Sequence, residues 1–202
     1  GVFDFDHDGE LDLYQANGRE QRASPPPTSD AYAEENLLFR GLGPALFSEV
    51  SPRGGVNPPL IATSRAAIFG DVDADGAIAV LVVNRDGPAH LLRNRVEKTG
   101  HWILLCVREL SGRDALGASL ELAVGERLLR REVSSASSYL AANDPRVHVG
   151  LGASASIEKV TVRWPDRTVE EFKRLEVDRR HTLVQGSAAR LAEVPHPPPD
   201  PR

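Results

Sequence analysis

The stretch Asp4-Phe5-Asp6-His7-Asp8-Gly9-Glu10-Leu11-Asp12 constrains this chain more than any other. It sets carboxylates at relative positions 1, 3, 5 and 9, glycine at 6 and an apolar residue at 8. Calcium takes about six to eight hard oxygen ligands, and alternate positions of a tight loop aim successive carboxylates at one point. Gly9 permits the sharp turn, the peptide carbonyl of Glu10 is placed to complete the shell, and Leu11 anchors the loop as a strand begins. His7, at position 4, is expected to point outward. The competing reading is a solvated acidic turn in which aspartates cap backbone amides. An EF-hand is excluded, because Tyr14-Gln15 stands where its glutamate is needed and the flanks read as strands rather than helices.

The loop recurs 67 residues on as Asp71-Val72-Asp73-Ala74-Asp75-Gly76-Ala77-Ile78-Ala79. Positions 1, 3, 5, 6 and 8 are kept, whereas position 9 is Ala79. Losing an anionic ligand weakens calcium binding, so this loop is expected either to bind more weakly or to keep the turn without the metal. Each loop is followed by strand-like runs: 11–16, 36–40 and 46–50 after the first, 78–84 and 89–94 after the second. A strand–acidic loop–strand unit with further strands, recurring at this period, is the signature of a β-propeller blade.

A second set of strand-like runs starts at His101. Residues 101–110, 118–124 and 126–133 read as a three-strand meander, and 146–151, 157–164, 168–172 and 181–185 continue the set. Val160, Val162 and Trp164 alternate with Thr161 and Arg163, the period of a half-buried strand. No amphipathic helix of three turns is present, and 15 prolines with 17 glycines suit short strands joined by turns. The expected fold class is therefore all-β: about two propeller-type blades over residues 1–97, a β-sandwich-like domain over 98–187, and a disordered Pro-rich tail over 188–202. The chain has no methionine, and Gly1-Val2-Phe3 leaves little room for a strand before the first loop; both suggest a C-terminal piece of a longer protein.

A net charge of -5 argues against nucleic acid as a partner. No apolar run approaches the roughly 20 residues of a membrane helix, and no signal peptide is visible. The single cysteine, Cys106, lies in an apolar run and reads as a buried core thiol. No nucleophile elbow, zinc-protease motif, phosphate-binding glycine loop or CxxC pair is present, so no catalytic residue and no cofactor-binding residue is assigned. His101, His148 and His181 read as structural or surface residues, Arg113-Asp114 as a local salt bridge, and Trp164 as a core ring. Tyr139 beside Asn143-Asp144 suits either a pocket wall or a strand edge.

The acidic loops, with Asn36-Leu37-Leu38-Phe39-Arg40 and Leu46-Phe47-Ser48-Glu49-Val50, resemble FG-GAP or VCBS-type propeller blades. From Gly112-Arg113-Asp114-Ala115-Leu116-Gly117-Ala118 through Arg131-Glu132-Val133, Ser138-Tyr139-Leu140, His148-Val149-Gly150-Leu151-Gly152 and Val162-Arg163-Trp164-Pro165 the chain resembles the ASPIC/UnbV domain that ends the cartilage acidic protein family and its bacterial relatives. The resemblance implies an integrin-like propeller joined to a small β domain in an exported protein, extracellular or periplasmic. It also implies calcium on Asp4, Asp6, Asp8, Glu10, Asp12, Asp71, Asp73 and Asp75. A closed propeller needs at least four blades, so two leave it incomplete. The expected function is a calcium-binding, non-enzymatic interaction or adhesion-type module with a protein or carbohydrate partner. The alternative is an accessory or tailoring protein in natural-product biosynthesis of the enediyne type.

Overall fold

The first nine strands build two small sheets and a ribbon. They are β1 (Val2–Phe3), β2 (Asp12–Gln15), β3 (Glu34–Glu35), β4 (Leu37–Gly41), β5 (Phe47–Glu49), β6 (Ile61–Ala62), β7 (Ser64–Gly70), β8 (Ala79–Asn84) and β9 (His90–Leu92). This computed structural model describes residues 1–97 and 100–191. Strands β1-β2-β4-β5 form one antiparallel sheet, β7-β8-β9 a second, and β3 pairs with β6. Val2 and Phe3 both pair with β2 as a strand ahead of the first loop.

The two sheets stack face to face. Phe3, Tyr14 and Leu38 on one meet Ala67, Phe69, Val80 and Val82 on the other, with Phe5 and Ile78 from the two acidic loops closing the core. Alternation along each strand makes this possible, since every second side chain points to the same face.

The second half contributes β10 (His101–Arg108), β11 (Ser119–Val124), β12 (Arg127–Glu132), β13 (Val147–Gly152), β14 (Lys159–Arg163), β15 (Val169–Phe172), β16 (Arg179–Val184) and β17 (Ala189–Leu191). They form a three-stranded sheet β13-β10-β16 and a five-stranded sheet β12-β11-β14-β15-β17. Ile103, Leu105, Val107, Val149, Leu151 and Leu183 of the first pack on Leu120, Leu122, Val160 and Val162 of the second, and Trp164 is 1% exposed within this core. The all-β class is thus observed, here as a two-layer sandwich.

Three expectations change. The meander over 101–133 does not form: β10 pairs antiparallel with β13 and parallel with β16, while only β11 and β12 make a hairpin. The turn-rich stretch between β10 and β11 carries the chain from one layer to the other, and parallel pairing leaves no hairpin signal in sequence. Cys106 is half-buried rather than a core thiol, because Leu105 and Val107 take the inward positions on either side of it. Ala189–Leu191, expected to be disordered, lies against β15 with Arg190 opposite Glu170, supplying backbone partners to an edge that would otherwise be open. Residues 192–202 of the expected tail, and Lys98 and Thr99 at the expected boundary, lie outside the described residues.

Among the described residues no sheet mixes strands from the two halves, yet a hydrogen-bonded seam joins them. The segment after β12 runs along the free edge of β7. There Phe69 N–H donates to Asn143 Oδ1 (2.9 Å), Asp144 N–H to Phe69 O (3.2 Å), and Ser138 Oγ to Ala67 O (2.6 Å).

Candidate metal centre

Both acidic loops adopt one backbone. Position 4 is left-handed in each, at His7 (φ 64°) and Ala74 (φ 59°), and position 6 is a glycine at φ 91° and 86°. That region is costly for a side chain and open to glycine, so Gly9 and Gly76 hold the turn. In each loop one oxygen of the position-1 aspartate accepts the glycine N–H: Asp4 Oδ2 from Gly9 at 2.9 Å, Asp71 Oδ2 from Gly76 at 3.1 Å. The position-5 aspartate accepts from position 7, Asp8 from Glu10 and Asp75 from Ala77, both at 2.8 Å.

These bonds orient the carboxylates inward. Ligand atoms of Asp4, Asp6 and Asp8 lie within 4.8 Å of one another, as do those of Asp71, Asp73 and Asp75. In both loops the second oxygen of the first aspartate, Asp4 Oδ1 and Asp71 Oδ1, is buried and accepts no hydrogen bond. A buried acceptor without a donor costs roughly 1–3 kcal/mol. A hard cation between the carboxylates would supply the missing partner, and carboxylate oxygens are among the ligands such cations take.

The remaining expected ligands take other positions. Asp12 is fully buried, with Oδ2 accepting Phe5 N–H (2.7 Å) and Oδ1 accepting Gly41 N–H (2.8 Å), so it braces the loop against β4. The Glu10 side chain pairs with Arg127 at 3.0 Å. Arg40 reaches Asp6 (2.8 Å) and Asp8 (3.0 Å) from β4, and Arg93 pairs with Asp73. Burial pushes the Asp4 carboxyl up to about 6 and Asp12 up to about 7, and it raises Asp6 as well. Neighbouring aspartates add to each shift.

The first loop is clamped by the sandwich. Arg127 Nη1 donates to Asp8 O and Arg131 Nη2 to Gly9 O, both at 3.0 Å. Gly152 N–H donates to His7 O (2.8 Å) and Gly150 N–H to Asp4 Oδ2 (3.1 Å). A Cβ on Gly150 would lie 2.5 Å from the His7 backbone, so only glycine lets the loop seat there. Burial lowers the Arg131 guanidinium from its usual value, while Asp4 and Glu10 oppose the shift. The second loop is held through fewer groups: Arg146 Nη2 donates to Asp71 O at 2.9 Å, and Asp73 and Asp75 are exposed.

His7 corrects the sequence reading. Its left-handed backbone turns the ring into the molecule, where it is fully buried and its Nε2 donates to Gly76 O of the other loop at 3.1 Å. The ring packs 5.1 Å from that of His148. The clamp residues Arg127, Arg131, Arg146 and Gly150 were not singled out as site residues from sequence. Their one signal was charge, because β12 carries three arginines in a chain of net charge -5.

The other sequence candidates do not converge. Arg113 pairs with Glu109 (3.4 Å) and Asp114 with Arg108 (3.2 Å), both within one turn. His101 contacts Asp178 (2.6 Å) and His181 the Glu176 carbonyl (2.8 Å). Tyr139 is 69% exposed. Beside the clamp a cleft of about 190 Å³ opens between the halves, lined by Asp4, Arg131, Asp144, Arg146 and His148 among others.

No curated protein matches the chain. The family described as ASPIC and UnbV matches residues 109–190. Those residues include β11 to β16 and every clamp residue named above, so the part of the chain that grips the acidic loops is similar to the ASPIC and UnbV family.

Proposed function

We propose that this chain is a calcium-binding, non-enzymatic interaction module of an exported protein, in which the cation rigidifies the seam between two propeller-type sheets and the ASPIC/UnbV domain. One observation carries the calcium reading: Asp4 Oδ1 is buried without a donor beside Asp6 and Asp8. Asp4, Asp6 and Asp8 would hold the ion, and Asp12 would keep the loop closed beneath it. Calcium bound there supplies charge neutralisation and cross-linking of the loop. Arg127, Arg131 and Gly150 then transmit that rigidity to the sandwich through the loop backbone. The exported, adhesion-type role draws on the ASPIC/UnbV match and on the likeness of the two loop-bearing sheets to FG-GAP blades. Loops on a rigid β scaffold are the usual place for partner recognition.

Calorimetric titration of chelator-stripped protein with calcium tests the reading, alongside Asp6→Ala and Asp73→Ala. Heat and a raised melting temperature, lost in Asp6→Ala and kept in Asp73→Ala, are expected. At a calcium concentration of 100 Kd, the ion adds about 2.7 kcal/mol to stability. No heat with the unaltered chain sinks the calcium reading and leaves the loops as braced turns.

A further inference from the structure

The second loop lacks the brace that the first one has. Asp12 accepts Phe5 N–H and Gly41 N–H and so closes the first loop against β4, whereas Ala79 stands at the matching place in the second. Asp73 and Asp75 are also exposed. Asp71 is nevertheless built like Asp4. It is 5% exposed, one oxygen takes the Gly76 N–H, and Oδ1 is buried without a donor beside Asp73 and Asp75. Such a site binds weakly on its own, because ordering the loose ligands opposes binding.

What steadies it comes from the first loop. His7 stands between Asp6 and Asp8, is fully buried, and donates from Nε2 to Gly76 O at 3.1 Å. The peptide unit that carries Gly76 O also carries Ala77 N–H, which donates to Asp75 at 2.8 Å. A peptide unit is a rigid plane, so fixing its oxygen fixes the N–H that aims Asp75. Behind it, Gly76 lies against Trp102 with no room for a Cβ. The Trp102 ring stacks on that of His148, which packs 5.1 Å from the ring of His7. Arg146, on Asp71 O, is a further anchor.

This geometry connects ion binding at one loop to order in the other. The two peptide units flanking His7 end on the Cα atoms of Asp6 and Asp8. An ion drawn between those carboxylates therefore fixes the backbone from which the ring reaches across. Ala74 holds the matching place in the second loop and has no side chain to reach back.

We propose, resting on the calcium reading of the first loop, that the second loop is a weaker calcium site whose ligands are set by the filled first loop through His7, a positioning residue rather than a ligand. The first ion raises the affinity for the second by at least about fivefold, the low end of ordinary coupling between sites. By reciprocity, the second ion tightens the hold on the first by the same factor.

Calorimetric titration of the chelator-stripped 202-residue chain with calcium chloride tests this, alongside Asp6→Ala, Asp73→Ala, His7→Ala and His7→Ala/Asp73→Ala. The unaltered chain is expected to take up two ions in two steps, and Asp73→Ala one ion with the first-step affinity kept. Asp6→Ala, whose second-loop ligands are all in place, is expected to lose the first step and to need at least about fivefold more calcium for the second. His7→Ala is expected to keep the first step and shift the second by the same factor. Ala74, with a left-handed backbone like that of His7, shows that alanine suits the position. In the Asp73→Ala background, His7→Ala is expected to change the remaining affinity by less than about twofold, which separates coupling from support of the first loop. A larger change there overturns the proposal. One ion in the unaltered chain, or a second step unmoved in Asp6→Ala or His7→Ala, overturns the coupling and leaves the calcium reading of the first loop standing. No heat from the unaltered chain overturns both. Where His7→Ala alters the circular dichroism, Asp6→Ala decides.

Discussion

The two acidic loops share a backbone and differ in what surrounds it. Glycine at position 6, a left-handed residue at position 4 and a buried unpaired oxygen at position 1 occur in both. The first loop is seated in the sandwich by Arg127, Arg131, Gly150 and Gly152, and its three aspartates are mostly shielded. The second is tied through Arg146 and His7, and two of its three aspartates are exposed. Loop geometry is thus set locally by short-range hydrogen bonds, whereas the strength of a site depends on the walls that keep water out and hold the loop still. If so, the first loop has more to lose from any change at the seam.

The largest expected effect is on pH dependence without metal. Asp4 and Asp12 have folded values of about 6 and 7, against an unfolded value near 3.9. Between those limits the folded state binds protons that the unfolded chain has released, so stability falls as pH rises. For two such buried groups the fall is on the order of a few kcal/mol from pH 4 to 7, flattening above. Melting of chelated protein at pH 5 and pH 7.5 checks it, with the lower melting temperature expected at pH 7.5. Saturating calcium should remove the fall by holding the carboxylates ionised. A melting temperature that climbs with pH in chelator would break the comparison at its electrostatic root.

Next in size is Gly150→Ala, which places a methyl against the His7 backbone and the Asp4 carboxylate. Overpacking of this kind costs about 1–3 kcal/mol. Thermal melting measures the cost, and hydrogen exchange should place the new opening in residues 4–12 rather than 71–79. Equal exchange in both loops would show that the clamp is not specific to the first.

Much of this was legible in the sequence, and the line between legible and hidden is physical. The spacing of Asp4, Asp6, Asp8 and Gly9, and its recurrence at Asp71, gave the loops and their repeat, because turn geometry depends on neighbours within a few residues. Alternation at Val160, Val162 and Trp164 gave a strand and its core face. The parallel pairing of β10 with β16 was hidden, since nothing local marks a partner far along the chain. So were the Arg131–Gly9 bond and the inward turn of His7, which depend on where the second domain docks. Asp12 falls between the two. Its place in the repeat marked it as important, yet its bonds to Phe5 and Gly41 are brace contacts that spacing alone does not distinguish from ligation.

A smaller effect is expected at the clamp arginines. Arg131→Ala removes a donor from Gly9 O and the packing of a half-buried side chain, which together cost about 1–2 kcal/mol. Chemical denaturation reads the loss. Arg113→Ala is the control, because Arg113 is exposed and pairs only within its own turn, and a change below about 0.5 kcal/mol is expected there. A clamp substitution no worse than the control would mean that the seam is held by β7 and the 138–144 segment alone.

The smallest effect has the opposite sign in function from the one it has in stability. Arg40 places its guanidinium on Asp6 and Asp8, and Arg93 on Asp73. Both arginines are about half exposed, so each pair contributes no more than about 1 kcal/mol to the fold. In the first loop, however, the guanidinium occupies oxygens that a calcium ion would use and adds a like charge beside it. Arg40→Ala should lower stability slightly in chelator and tighten calcium binding by about three- to tenfold, an effect of about a kcal/mol in the ion's favour. Arg93→Ala, which frees a single exposed carboxylate, should leave the affinity of the first loop unchanged. Calorimetry of the two variants side by side separates the possibilities. Weaker calcium binding in Arg40→Ala would mean that Arg40 positions the aspartates for the ion rather than competing with it.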